Sequence, residues 1–204
     1  RNWRWYKHLG GGPIVDLGSH QIDIYNWFLA ARPTSVLASG RTNYYDKKTH
    51  EWYDTVIAIY EYDPPQGPVT AQYQTLSTNS SQGYFESFMG HEGTLLVSEK
   101  AARCRVYRES WVEEKKWARW IRKGYLSEPE EPEPKKAKTS GVAMDVRESI
   151  PAPSYKLQVD VIERVHQPHL ANFFDTIRGK AKLTCPAEVG YETAVTDPRA
   201  AAIG

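Results

Sequence analysis

The feature that most constrains this chain is a run of glycines followed by an aspartate and a histidine four residues apart, in the segment Gly10-Gly11-Gly12-Pro13-Ile14-Val15-Asp16-Leu17-Gly18-Ser19-His20. Pro13 is placed to begin a helix, because proline is well tolerated in the first helical turn. Residues four apart lie on one face of a helix, so Asp16 and His20 are predicted to point the same way. A carboxylate beside an imidazole can exchange protons with a bound molecule.

Most residues around this pair are apolar, namely Ile14, Val15, Leu17, Ile22, Ile24, Trp27, Phe28 and Leu29. This pattern predicts a helix that is buried on most sides. Ionisable groups on such a helix need partners. Either Asp16 and His20 face a cleft and meet a substrate, or they bond to each other or to the backbone, as buried polar groups usually do. The local pattern leaves both interpretations open.

Composition narrows the function classes. The 204 residues suit one large domain, and 26 Lys and Arg against 25 Asp and Glu give a formal charge of +1, which is not typical of nucleic-acid binding. No stretch approaches the roughly eighteen apolar residues that span a bilayer, so no membrane partner is expected. Cys104 and Cys185 lack metal or redox spacing and are predicted to be free thiols. A cytoplasmic location is expected, with a periplasmic or exported one open because a targeting segment upstream of residue 1 could have been lost.

Strand patterns follow the first helix. Residues 35–45, 55–62, 69–76, 83–89, 94–98 and 103–108 are rich in β-branched and aromatic side chains. The turn at 63–68 and the turn Gly90-His91-Glu92-Gly93 join neighbouring strands over short distances. Parallel neighbours need crossovers of a dozen residues or more, so these connections predict an antiparallel meander. His91 is expected to be exposed in its turn rather than catalytic.

The chain is predicted to be one domain, residues 1–204, with a charged and proline-rich insertion at about 112–155. Within it, Trp117, Trp120 and Ile121 form one stripe of a short helix that docks either on its own domain or on another subunit. The part rich in Glu, Pro and Lys is predicted to be a solvated loop.

Two helices are predicted near the end of the chain. Apolar residues at i, i+3, i+4 and i+7 predict a core-facing amphipathic helix that ends at Gly179, and these residues are Leu170, Phe173, Phe174 and Ile177. A short final helix is predicted at 186–196.

Together these pieces resemble the C-terminal domain of the glucose-fructose oxidoreductase / inositol dehydrogenase / rhizopine catabolism (Gfo/Idh/MocA) family of NAD(P)-dependent dehydrogenases. The resemblance rests on the lead-in Trp3-Arg4-Trp5, the motif Gly-Gly-Gly-x-x-x-Asp-x-Gly-x-His-x-x-Asp at 10–23, the strand at 54–62, the element at 88–95 and the helix at 169–179. It covers most of the chain apart from roughly 112–155. It implies an α+β fold, in which an open, mostly antiparallel β-sheet has helices packed on one face.

Members of this family also contain an N-terminal Rossmann domain that holds NAD or NADP. The present sequence has no Gly-x-Gly-x-x-Gly after a strand and no Glu-Lys-Pro motif, so it is similar to the second domain alone. The resemblance therefore implies that the cofactor is held mainly by a domain outside these residues, and that no cofactor-binding residue lies within them.

The resemblance makes His20 the acid/base that exchanges a proton with the reacting hydroxyl, and Asp16 the residue that binds this hydroxyl or orients the imidazole. These residue types suit the chemistry, because an imidazole with an ordinary pKa of about 6.5 can take and return a proton near neutral pH. Further candidate substrate-binding residues are Trp3, Arg4, Lys7, Gly12 and Asp23. Asp23 lies one turn farther along the same face, where it either supports the site or packs against another helix.

The function implied is hydride transfer between a nicotinamide and a hydroxyl of a sugar, polyol or cyclitol, with this chain alone inactive. The alternatives are a ligand-binding or regulatory protein without turnover and an NAD-dependent glycosidase on the same fold. A metal site on Asp16 and His20 is the weakest alternative, and no bound metal is expected. The expected partners are a sugar or cyclitol substrate, the Rossmann domain, and a second copy of the chain bound through the open sheet face.

Overall fold

A computed structural model describes residues 2–81, 83–130, 152–158, 164 and 166–201. The chain divides into two compact units, of which the first holds residues 1–81 and 168–204 and the second holds residues 82–167. Each unit combines helices with an antiparallel sheet, so the predicted α+β class is confirmed. The strands are, however, divided between two sheets rather than joined in one. The sequence did not predict this division, because strand patterns do not reveal which strands pair.

The first unit contains α1 (Gly12–Leu29), three strands and the two C-terminal helices. The strands are β1 (Pro33–Arg41), β2 (Thr55–Tyr62) and β3 (Val69–Leu76), and they form an antiparallel sheet in the order β1-β2-β3. The later helices are α3 (Gln167–Ile177) and α4 (Ala187–Ala201), of which α4 packs against α1 and β1. The predicted final helix is therefore confirmed and extends farther than its pattern indicated.

Alternation along β2 creates the core of the first unit. One face of the strand is buried, and its side chains cluster with others from α1 and β3, the cluster being Ile14, Ile22, Val56, Ala58, Tyr60, Tyr62 and Tyr73. The opposite face of the sheet exposes Leu37, Ile57 and Leu76. Because α1 covers only one face, the position of Asp16 and His20 follows from how α1 lies on the sheet.

Two predictions of burial are wrong. On α1, Trp27 and Phe28 are 77% and 45% exposed, so the helix is buried along one stripe and not on most sides. On α3, the predicted core-facing residues are also exposed, at 42% for Leu170, 46% for Phe173, 47% for Phe174 and 68% for Ile177. Helical periodicity shows that an apolar stripe exists, but it does not show what the stripe covers.

The second unit is a four-stranded antiparallel sheet with one helix. Its strands are β4 (Phe85–Met89), β5 (Gly93–Ser98), β6 (Arg105–Arg108) and β7 (Ser154–Lys156), in the order β4-β5-β6-β7, and its helix is α2 (Glu114–Arg122). The ring of Trp117 stacks on that of Tyr155 at 5.5 Å between centroids. The predicted short helix thus exists and docks on its own unit.

The predicted insertion at 112–155 lies within the second unit and supplies α2 and β7. Most of its part rich in Glu, Pro and Lys lies outside the described residues. Within the part of the chain that the structure describes, no helix is both long enough and apolar enough to cross a bilayer.

Candidate functional site

The site is built on the first turns of α1. Pro13 occupies the first turn, as predicted, and Gly12 precedes it with a φ of +74°. A Cβ added to Gly12 would lie 2.6 Å from Cγ of Trp52, so this position requires glycine both for its backbone conformation and for space. The side chain of Trp52 therefore packs directly against the backbone at the first residue of α1.

Asp16 is half-buried on α1 and forms an ion pair with Arg4, with 2.7 Å between Nε and Oδ2. The side chain of Arg4 is 50% exposed and that of Asp16 is 33% exposed. A surface pair of this kind adds little stability, typically below about 1 kcal/mol, so its interest lies in the orientation it gives the carboxylate. The structure therefore joins two of the predicted site residues directly.

His20 lies one helical turn beyond Asp16 and is exposed. Among the described residues, it forms no hydrogen bond with Asp16, whose carboxylate is bonded to Arg4 instead. The interpretation that Asp16 and His20 satisfy each other inside the domain therefore does not hold for the described structure. The imidazole is open to an approaching molecule.

Two cations of the segment before α1 lie over tryptophan rings. The guanidinium of Arg4 is 4.6 Å from the ring centroid of Trp3, and Nζ of Lys7 is 5.4 Å from that of Trp52. Trp3 is about half exposed. Cations at these distances are attracted to the ring face. Aromatic and cationic side chains are therefore in contact along the segment that precedes α1.

Residues 42–54, here called the bracing loop, hold that segment in place. The indole Nε1 of Trp52 donates a hydrogen bond to the carbonyl of Gly10 at 2.8 Å, and the amide of Glu51 donates to the carbonyl of Trp5 at 2.9 Å. The carboxylate of Glu51 accepts a bond from the amide of Lys7 at 2.7 Å. The bracing loop thus bonds to three points of the segment before α1.

The bracing loop is itself organised by Asp54, whose carboxylate is fully buried. The carboxylate accepts hydrogen bonds from the backbone amides of Asn43, Tyr44 and Tyr45 and from the hydroxyl of Thr55, over 2.8 to 3.1 Å. Burial raises the pKa of Asp54, but these hydrogen bonds favour the charged form more strongly, and the pKa is lowered below its ordinary value of 3.8. Asp54 is therefore a carboxylate whose bonding is satisfied within the loop.

Asp23 lies away from the Arg4 and Asp16 pair in its bonding. Its Oδ1 accepts a hydrogen bond from the hydroxyl of Thr193 on α4, at 3.1 Å. This contact joins α1 to α4, and it agrees with the packing role that the sequence left open for Asp23. A substrate-binding role for this residue stays a prediction.

His91 is exposed in the turn between β4 and β5, as expected. Among the described residues there is no group of three or more His, Cys, Asp or Glu side chains that could hold a metal ion. In the same part of the chain Cys104 is buried and Cys185 is exposed, and both thiols are free.

Sequence reasoning did not identify Glu51, Trp52 or Asp54 as parts of this site. The contacts of Glu51 and Trp52 with residues 5–12 span about forty residues, and no local period reports them. The one available signal was an acidic residue directly before β2, where a buried strand begins.

Part of the chain matches a known protein family. A family model described as the GFO/IDH/MocA C-terminal domain matches residues 1–96. The match covers 96 of the 204 residues, so the likeness to this family is shown for residues 1–96. The matched stretch contains α1, the whole sheet of the first unit and the bracing loop. The Gfo/Idh/MocA resemblance seen in the sequence is thereby confirmed for residues 1–96.

A solved structure gives the same fold. The crystal structure of an NAD-binding protein from Listeria innocua matches with a TM-score of 0.56 and 18% sequence identity, covering 94% of this chain and 49% of the Listeria chain. At this identity the match shows the fold alone. The present chain spans about half the length of that protein. No curated protein matches the chain.

Proposed function

We propose that this chain is the substrate-binding and proton-transferring half of an NAD(P)-dependent oxidoreductase that acts on a sugar, polyol or cyclitol hydroxyl. One observation carries the proposal. An aspartate oriented by Arg4 lies one helical turn from an exposed histidine, on the helix that begins the family-matched stretch.

The described residues do not fit the nucleotide part of NAD(P). Pyrophosphate is typically bound at a glycine-rich turn between a parallel strand and a helix, whereas every strand pair described here is antiparallel. The proposal therefore assigns the dinucleotide to a separate Rossmann domain. In alcohol oxidation of this class the nicotinamide supplies the hydride acceptor.

His20 handles the proton in this proposal. Oxidation of a secondary alcohol requires that the hydroxyl lose its proton as the carbonyl forms, and a neutral imidazole accepts a proton in this pH range. The exposure of His20 leaves its ring nitrogens accessible to a substrate that binds beside α1. In the reverse reaction the imidazolium returns the proton to the developing alkoxide.

Asp16 holds the same hydroxyl or a neighbouring one. Arg4 contacts Oδ2, while an ionised carboxylate offers about four acceptor positions, so Oδ1 is able to accept a bond from a substrate hydroxyl. The ion pair fixes the carboxylate before the substrate arrives, which reduces the ordering needed on binding. Polyhydroxylated substrates offer the vicinal hydroxyls that such a pair of groups recognises.

The remaining candidates surround this pair. The half-exposed ring of Trp3 provides an apolar surface for the C–H face of a sugar ring, and Lys7 provides a hydrogen-bond donor. Gly12 keeps the backbone close to Trp52. In the assembled protein, the open sheet face with Leu37 and Ile57 is proposed to contact a second copy of the chain.

The direct test uses a protein in which this chain is joined to its Rossmann domain. Sugars, polyols and cyclitols are supplied with NAD or NADP, and the absorbance of the reduced nicotinamide is followed. We expect turnover with at least one polyhydroxylated class. Absence of nicotinamide reduction across the panel would contradict the proposal, and release of free sugar from a glycoside without net reduction would favour the glycosidase instead.

A matched pair of variants locates the activity. Asp16→Asn removes the charge that Arg4 orients, and is expected to lower kcat/KM by about tenfold or more, the loss for an interaction of about 1.4 kcal/mol in the transition state. His91→Ala, a histidine in an exposed turn of the second unit, is expected to leave kcat/KM unchanged. Equal losses in both variants would show that the activity does not depend on the α1 site.

A further inference from the structure

The start of the bracing loop, residues 42–54, is hydrogen-bonded to the buried carboxylate of Asp54, and Glu51 and Trp52 near its end are hydrogen-bonded to the segment before α1. We propose that Asp54 is a positioning residue, which sets the Arg4 and Asp16 pair through this loop. The inference rests on the proposed function, because it assigns Asp54 a part in substrate recognition and proton transfer without contact with the substrate.

In the first step, the carboxylate of Asp54 holds the start of the bracing loop. Three consecutive backbone amides, those of Asn43, Tyr44 and Tyr45, donate to one carboxylate oxygen, Oδ2, over 2.8 to 3.1 Å. Hydrogen bonds to a charged acceptor are roughly twice as strong as those between neutral groups. A buried carboxylate with this many donors fixes the backbone at the start of the bracing loop, where the chain leaves β1.

The second step is from the loop to the segment before α1. The amide of Ser77, at the end of β3, donates to the carbonyl of Asp54 at 2.9 Å, so the far end of the loop is tied to the sheet. Between these fixed ends, Glu51 and Trp52 bond to residues 5, 7 and 10. The position of the segment therefore depends on the shape of the loop.

The third step is from that segment to the ion pair. Arg4 lies in a short 3-10 helix, Trp3–Trp5, and the carbonyl of Trp5 at its end accepts bonds from the amides of Glu51 and Trp52 at 2.9 and 3.3 Å. The guanidinium of Arg4 reaches across to Asp16 on α1. A shift of this 3-10 helix moves the Arg4 nitrogen relative to the carboxylate, and hydrogen-bond energy falls steeply with misalignment.

A graded series of substitutions tests the proposal in the protein that joins this chain to its Rossmann domain. Asp54→Asn keeps one acceptor oxygen without the charge, and Asp54→Ala removes both oxygens. The matched control is Asp46→Asn, since Asp46 lies in the same loop, is exposed, and accepts one amide bond, from Lys48. We expect kcat/KM per folded molecule to fall by about tenfold in Asp54→Ala, less in Asp54→Asn, and not at all in Asp46→Asn.

Two further readouts separate positioning from a merely structural role. The Nε–H resonance of Arg4 and the indole N–H resonance of Trp52 are followed by ¹⁵N NMR, and both are expected to shift in the Asp54 variants. A role in folding alone would lower the yield of folded protein while leaving both resonances of the folded fraction unchanged.

Each result of these experiments either supports or contradicts the positioning role of Asp54. If Asp54→Ala does not fold, Trp52→Phe removes the bond to Gly10 and reduces the ring that lies beside Lys7 and Gly12, and it is expected to shift the Arg4 resonance in the same direction as Asp54→Asn does. The proposal would be overturned if the Arg4 and Trp52 resonances were unchanged in folded Asp54→Asn and the Arg4 resonance were also unchanged in Trp52→Phe. If the wild-type protein shows no turnover, the proposed function fails, whereas shifted resonances would still show that Asp54 sets the Arg4 and Asp16 pair.

Discussion

Replacing Gly12 with alanine tests the contact between the start of α1 and the bracing loop. Two costs arise from the structure. The φ of +74° is left-handed, which costs an L-residue with a Cβ about 1–2 kcal/mol. The added methyl would lie 2.6 to 2.9 Å from three atoms of Trp52, and overpacking of this kind costs about 1–3 kcal/mol. The sum predicts a loss of about 2–5 kcal/mol in the free energy of unfolding.

Gly179 provides a matched control in the same unit. Its φ is +72°, but an added Cβ would meet no atom within 4 Å. Gly179→Ala is therefore expected to show the backbone cost alone, about 1–2 kcal/mol. The difference between the two variants measures the crowding by Trp52, and Trp52→Ala is expected to remove that difference when combined with Gly12→Ala.

The assay is equilibrium unfolding in urea, followed by tryptophan fluorescence and by circular dichroism, with the slope of the transition checked for each variant. Because the chain has two units, the transition of the first unit is identified with a probe at α1. Equal losses for Gly12→Ala and Gly179→Ala would refute the reasoning, since they would mean that Trp52 does not crowd the start of α1.

Three other predictions concern stability. Because the pKa of folded Asp54 lies below 3.8, its charge stabilises the fold above about pH 4, and this contribution is lost as the pH falls through the folded pKa. Acid unfolding of Asp54→Asn should therefore begin at a pH closer to neutral, and the stability of this variant should depend less on pH between about 5 and about 3. An unaltered acid unfolding profile would contradict the assignment of a lowered pKa to Asp54. Thr193→Val removes the hydroxyl that donates to Asp23 and is expected to lower the free energy of unfolding by about 1 kcal/mol. A loss near zero would show that the contact between α1 and α4 depends on apolar packing alone. Trp117→Ala removes the ring stacked on Tyr155 and is expected to destabilise the second unit by about 2–4 kcal/mol while leaving the unfolding of the first unit unchanged, which separate probes in the two units would reveal.

The sequence predicted those features that depend on neighbours in the chain. The proline in the first turn and the four-residue spacing placed Asp16 and His20 on one helix, and the turn at 63–68 placed β2 against β3. Strand patterns likewise identified β1 to β6, because alternation of side chains is a local property, whereas β7 was not predicted.

Features that depend on distant contacts were not accessible in this way. Arg4 was identified as a candidate, but its pairing with Asp16 depends on how the segment before α1 folds back over the helix. The buried carboxylate of Asp54 is satisfied by three loop amides that converge on it, and such convergence leaves no period in the sequence. The exposure of Phe173 on α3 was missed for a related reason, since an apolar stripe does not identify the surface it meets.

The most direct test of the α1 site is the turnover number of the His20→Ala variant in a protein that joins this chain to the proposed Rossmann domain. If His20 is the proton acceptor for the substrate hydroxyl, kcat should fall by about 10²- to 10⁴-fold, while the affinity for the nicotinamide cofactor stays the same. An unchanged kcat would contradict the assignment of His20 as the proton-transferring group.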